Sequence, residues 1–185
     1  MTMFIGLHGR AQAGKDTVAA ILARQGYVKV AFATPIKDAL VYTGLVRREQ
    51  FEGPAKEKPL PDLGVSPRQL MQTLGTEWGR KLVREDLWIC LVDRAVQQYL
   101  KFTKHIVITD VRFENEADYV RRMGGGVWHI DRPLPPNVAA LHPSEHGIAI
   151  WPGVDSWVDN SAGLEQLEDQ VRRALAGELI VAGTV

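Results

Sequence analysis

The chain has 185 residues, 45% of them hydrophobic, which suits one compact α/β domain with a buried core. Its 22 Lys plus Arg balance 22 Asp plus Glu, so it lacks the basic excess that drives binding to nucleic-acid phosphates. One cysteine, Cys90, excludes an internal disulfide, and no apolar run reaches the ~18 residues of a membrane span. Cys90 sits in the apolar run Leu87–Val92 and is expected to be a buried, inert thiol. The stretch Met1–Leu7 lacks the basic leader and cleavage site of a signal peptide, so a cytoplasmic protein is expected.

Phe4–His8 is a short apolar run that reads as a buried first strand. A helix is expected from Lys15 to about Arg24, with Val18, Ile21 and Leu22 as its apolar stripe. Tyr27–Phe32 reads as a second strand, and Thr34-Pro35 as N-cap and first residue of a helix to about Thr43. Residues 47–65, with three prolines, read as irregular. Ser66-Pro67-Arg68-Gln69 carries a capping box and opens the next helix. A helix from near Asp86 to about Leu100 leads to the strand His105–Thr109, which ends at Asp110. A helix over Glu114–Met123, a strand over Gly126–Ile130 and a proline-rich excursion over 132–153 follow. Trp157-Val158 is a short final strand, Leu164–Leu175 an amphipathic last helix, and the tail from Gly177 is expected to fray. This alternation predicts an α/β fold: a three-layer arrangement with a parallel five-stranded sheet, helices on both faces and right-handed crossovers. Ligands should then lie beyond the strands' carboxyl ends, at Gly9, Ala33, Asp110, Asp131 and Asp159.

The sharpest motif is Gly9-Arg10-Ala11-Gln12-Ala13-Gly14-Lys15-Asp16-Thr17, placed between a strand and a helix as a phosphate loop requires. Gly9 and Gly14 allow backbone conformations that aim N–H groups inward, the helix start adds partial positive charge, and Lys15 adds a full one. Ala13 belongs to the same ATP-binding turn. A Ser or Thr usually follows the lysine and binds Mg²⁺; here Asp16 stands there and Thr17 comes next. Asp16 is read as facing the metal or its waters, beside the plainer reading of an acidic first-turn residue. A guanine-reading Asn-Lys-x-Asp element and an Asp-x-x-Gly switch are both missing, which argues against a GTPase.

The run Gly14–Thr17 resembles the deoxynucleoside monophosphate kinases of tailed bacteriophages. So do Phe32–Lys37, Arg68–Glu77, Asp110–Ala117 and His142–Glu145. The resemblance spans Gly6 to about Leu175, and kinases of phosphomevalonate and dephospho-coenzyme A share parts of it. It implies one P-loop kinase domain that phosphorylates deoxynucleoside monophosphates with ATP and Mg²⁺. An acceptor-binding region at about 34–85 and a lid at about 132–150 are implied with it. The partners implied are small-molecule nucleotides, with no nucleic acid and no membrane. A homodimer stays open, and the location implied is a host cytoplasm if the chain is phage-encoded.

Asp110, at a strand end, is read as a metal-holding or catalytic residue, with helix capping as its alternative. Arg112 is read as reaching a phosphoryl oxygen or pairing with Glu114 or Glu116. Arg68 and Arg80 are read as acceptor-phosphate ligands, because the planar guanidinium fork matches phosphate, with solvated surface arginines as the alternative. Lys37 joins them, since a cation in a helix's first turn opposes the dipole unless a phosphate is near. Gln72 and Glu77 are read as contacts to base or sugar, and Trp78 as a base-stacking residue or a core residue. Arg132 is read as a lid arginine that closes over the transferring group. His142 and His146 have a zinc-like spacing without a cysteine pair, and a hydrogen-bonding role in the lid is the preferred reading.

Overall fold

The computed structural model describes residues 3–133 and 147–182. Five parallel strands form one sheet: β1 (Met3–His8), β2 (Val28–Val30), β3 (His105–Ile108), β4 (Gly126–Asp131) and β5 (Ser156–Asp159). Their order is β2-β3-β1-β4-β5, so β1 is central, with Gly6 paired to Ile108 on one side and to Val127 on the other. Alternation along a strand sends successive side chains to opposite faces. Ile5 and Leu7 therefore pack with Val107, Ile130 and Val158 under α1 (Lys15–Arg24) and α6 (Leu164–Leu175). Gly6 faces α5 (Glu114–Arg122) on the other side, where a Cβ would meet a methyl of Val120 at 2.9 Å. Helices thus cover both faces, as the strand–helix alternation predicts.

Two compact units make up the chain. The first comprises the residues up to Ala31 and from Val96, and it holds the whole sheet. The second is Phe32–Ala95. It contains α2 (Thr34–Tyr42), two 3₁₀ turns (Arg48–Phe51 and Gly53–Glu57), α3 (Pro67–Gln72) and most of α4 (Leu87–Tyr99). Its own core is Ile36, Leu40, Val46, Phe51, Leu60 and Trp88. Between α3 and α4 the chain winds as a π-helix over Thr73–Val83, which the capping signal at Ser66 did not foretell. The physical reason lies in packing. The Trp88 indole Nε1 donates to the Gly75 carbonyl at 2.7 Å, and Gly79 lies so close that a Cβ would sit 2.5 Å from the ring. An inserted side chain that takes a helix carbonyl is a recognised cause of a local change in helix winding.

Several expectations are corrected. The second strand is only Val28–Val30, and α2 is capped by Ala33, so Thr34 is already helical. Of the tail expected to fray from Gly177, residues 178–182 are described, and they are tied down: Val181 N–H donates to Asp155 O at 2.8 Å, and Trp157 N–H to Leu179 O at 3.1 Å, along the β5 edge. Cys90 is half-buried, with its thiol 3.7 Å from Asp86 Oδ2, and Trp78 is 47% exposed and no core residue. Of the lid segment, Arg132, Pro133 and residues 147–150 are described; His142–His146 lie outside the described residues. Among the described residues no helix is long and apolar enough to cross a membrane.

Candidate active site

β1 ends at His8 and α1 begins at Lys15, so the motif's glycines make the turn between them. Gly9 has φ 152° and Gly14 φ 104°. Gln12, at φ 66°, is a side-chain-bearing residue in the left-handed region, a strain of about 1–3 kcal/mol of the kind found at ligand loops. Val18 N–H donates to Gly14 O at 3.0 Å, the first bond of α1. Helix geometry leaves the N–H groups of Lys15, Asp16 and Thr17 without intrahelical acceptors, at the positive end of the dipole. Lys15 Nζ donates to the carbonyls of Gly9 and Arg10, each at 2.8 Å. The side chains of Asp16 and Thr17 are exposed, and Ala13 is buried. Backbone donors at a helix start, with an ammonium on the same loop, make a turn that can receive an anion.

The loop rests on neighbouring strand ends. A Cβ on Gly9 would meet Ile130 O of β4, and one on Gly14 would overlap the Asn160 amide beyond β5. His8 Nδ1 donates to Val111 O at 3.0 Å, and Val111 N–H donates to Leu7 O at 3.0 Å. These bonds hold the segment 110–112 beside the end of β1, which places half-buried Asp110 next to the start of the loop. Burial lowers the His8 pKa first, and His129 and Lys15 lower it further against the Val111 bond, so the ring is neutral at neutral pH. Glu116, buried, accepts the N–H groups of Arg112 at 2.8 Å and Phe113 at 3.2 Å. Glu116 thus supplies the N3 half of a capping box at the start of α5. Arg132 is exposed directly after β4.

One polar centre in this unit escaped the sequence reading. Asp155, 0% exposed, accepts from Arg121 at 2.6 Å, Trp151 N–H at 2.8 Å and Val127 N–H at 2.9 Å, with His129 Nε2 at 3.5 Å. Burial by itself raises its pKa, but the nearby His129 ring and the bonds from Arg121 and the two backbone N–H groups outweigh that and hold it well below the carboxylate range. Arg121 also lies 4.5 Å over the Trp151 ring. Two of its partners, Val127 and Arg121, stand 28 and 34 residues away, so no local signal marks the hub.

In the second unit the capping box is present as expected: Gln69 N–H donates to Ser66 Oγ at 3.2 Å, and Ser66 N–H to Gln69 Oε1 at 2.8 Å. Arg68, in that first turn, pairs with Glu57 at 2.7 Å. Lys37 Nζ lies 5.7 Å from the centre of the Phe51 ring. Arg80 is 8% exposed at its side chain, with Glu85 at 3.7 Å. Glu77 is exposed and pairs with Lys81 at 2.7 Å, and Gln72 is half-buried. The residues assigned from sequence therefore divide cleanly. Lys15, Asp16, Thr17, Asp110, Arg112 and Arg132 lie in the first unit, and Lys37, Arg68, Gln72, Glu77 and Arg80 in the second.

A central parallel strand, a glycine turn closed by lysine, and a helix that starts at that lysine define the α/β P-loop class. The solved structure of TT1252 from Thermus thermophilus shares the fold: TM-score 0.55 at 17% identity, over 96% of this chain and 97% of that one. A family model, deoxynucleotide monophosphate kinase, matches residues 61–171. A deoxynucleotide monophosphate kinase relative from Acanthamoeba polyphaga mimivirus is 32% identical over 193 aligned positions, 91% of this chain and 94% of the relative. The deoxynucleoside-5'-monophosphate kinase of Escherichia phage T5 is 36% identical over 110 residues, 54% of this chain and 42% of that enzyme. The chain belongs to the deoxynucleotide monophosphate kinase family.

Proposed function

We propose that the chain transfers the γ-phosphoryl group of ATP to a deoxynucleoside 5'-monophosphate, yielding the diphosphate and ADP. The observation that carries this is the anion cradle at Gly9–Thr17, with the Lys15 ammonium held at its mouth, in a chain of this family. An acceptor phosphate oxygen attacks the γ-phosphorus, the bond to the β–γ bridging oxygen breaks, and ADP leaves with those electrons. The acceptor is already anionic, so alignment and charge stabilisation do the catalysis, and no general base is needed.

In this reading Gly9, Ala13, Gly14, Lys15, Asp16 and Thr17 bind ATP. Lys37, Arg68, Gln72, Glu77, Arg80 and Arg112 bind the acceptor, and Arg132 closes over the transferring group. Lys15, Asp110 and Arg132 are the catalytic residues. Among the described residues no group of three or more His, Cys, Asp or Glu could cage a metal. That suits Mg²⁺, which takes one or two carboxylates and completes its shell with phosphates and water. Asp16 and Asp110 would hold it, and it would neutralise charge on the phosphates. The acceptor region at about 34–85 falls inside the second compact unit, and the whole works as one kinase domain on free nucleotides in the cytoplasm.

Family membership favours deoxynucleotides over phosphomevalonate or dephospho-coenzyme A as acceptor. Purified protein with ATP-Mg²⁺ should phosphorylate members of a deoxynucleoside monophosphate panel. Turnover confined to either metabolite would overturn the assignment.

A further inference from the structure

Asn160 follows β5 and is 8% exposed. Its backbone N–H donates to Asp131 O at 2.8 Å, which extends the β4–β5 ladder by one residue, so the sheet anchors it. Its side-chain Nδ2 donates to Ala13 O at 2.8 Å, a buried bond across 147 residues. The carbonyl can only accept, so the amide nitrogen must face it. Gly14 leaves room for this amide, because any Cβ there would overlap Nδ2.

We propose that Asn160 is a positioning residue of the donor-phosphate site, acting through the Ala13–Gly14 peptide. This rests on the reading of Gly9–Thr17 as the ATP site. A trans peptide holds its C=O and N–H antiparallel. With the Ala13 carbonyl fixed on Asn160, the Gly14 N–H points away from Asn160 and adds to the donors of Lys15, Asp16 and Thr17. Glycine at position 14 would otherwise let this peptide rotate and offer a carbonyl where an anion needs a donor. The strand beyond β4 thus sets one donor of the loop before nucleotide arrives.

N160A removes the clamp, and N160D keeps its shape while replacing the donor by an acceptor. Calorimetry with ATP, steady-state kinetics for both substrates and nucleotide-free melting would be run on each, beside K15A. The expected result is an ATP Kd raised about tenfold in N160D and about fivefold in N160A, with acceptor KM within about twofold of wild type. The introduced carboxyl, raised above the ordinary carboxylate range by burial, should protonate as pH falls and donate to Ala13 O. ATP affinity of N160D should then recover relative to N160A as pH falls, which a merely structural role would not produce. Should N160D fail to fold, N160A alone decides. ATP binding within about twofold of wild type in a folded variant overturns the clamp. If K15A also leaves ATP binding untouched, the donor-site reading itself fails; if only K15A weakens it, the clamp alone does.

Discussion

Lys15 Nζ donates to the carbonyl of Gly9, in its own loop, at 2.8 Å. Its second acceptor is Arg10 O. Both are neutral carbonyls that phosphate oxygens can replace with stronger, charge-assisted bonds. Lys15→Ala is expected to abolish phosphoryl transfer and leave the fold intact, since the side chain is not in the core. Each ~1.4 kcal/mol lost from the transition state is tenfold in rate, so residual turnover above about a tenth of wild type would rule out the phosphate-loop assignment. Far-UV circular dichroism and melting check the fold.

Asp110 stands beside the end of β1 through the Val111 bonds to Leu7 and His8. Glu116, in the first turn of α5, accepts the Arg112 and Phe113 N–H groups that follow Asp110. Asp110→Asn should lower kcat more than it weakens ATP affinity, because a metal-holding charge matters most as charge shifts in transfer. A change in melting temperature with unaltered kcat would restore the structural reading.

Arg68 is held by Glu57 at 2.7 Å, so an incoming acceptor phosphate would compete with a carboxylate. Arg68→Ala should raise acceptor KM about tenfold to a hundredfold, from the ~1.5–3 kcal/mol of a charge-assisted bond, with ATP binding unchanged. Glu57→Gln should act in the opposite direction and lower acceptor KM a few-fold. Initial rates with each substrate varied in turn test both. A weakened ATP affinity in Arg68→Ala with unchanged acceptor KM would reverse the assignment of the two sites.

Asp155 ties β4, β5 and the Trp151 turn together. Its folded pKa lies below the ordinary 3.8, so the stability it contributes is present above that value and is lost as pH falls through the folded value. Asp155→Asn leaves the Arg121 guanidinium, 5% exposed, with Asp118 and the more distant Glu114 as its remaining anionic partners among the described residues. The expected cost is about 3 kcal/mol, at the low end for a broken buried pair, or roughly 6–12 °C in Tm for a chain of this size. The acid limb of its stability curve should also be flatter than wild type. Melting curves at several pH values between ~2 and 7 read both effects.

The sequence by itself determined what is local. The glycine spacing between an apolar strand and a lysine-led helix specified the turn from β1 into α1, because left-handed backbone at Gly9 and Gly14 and a helix N-terminus are consequences of neighbouring residues. The capping box at Ser66 and the alternation of strands and helices were legible for the same reason. Only the tertiary structure decided what joins distant segments. The order β2-β3-β1-β4-β5 sets β4 beside β1 and β5 beyond it, which brings Asn160 under Ala13 and makes Asp155 a hub for Val127 and Arg121. The Trp88 indole on Gly75 accompanies a π-helix where helix propensity foresees ordinary winding, and the Ser156–Ile180 bridge holds a tail that composition marks as loose. Each of these is a contact between residues far apart in sequence, and pairings of that kind follow from packing, which no window of neighbouring residues encodes.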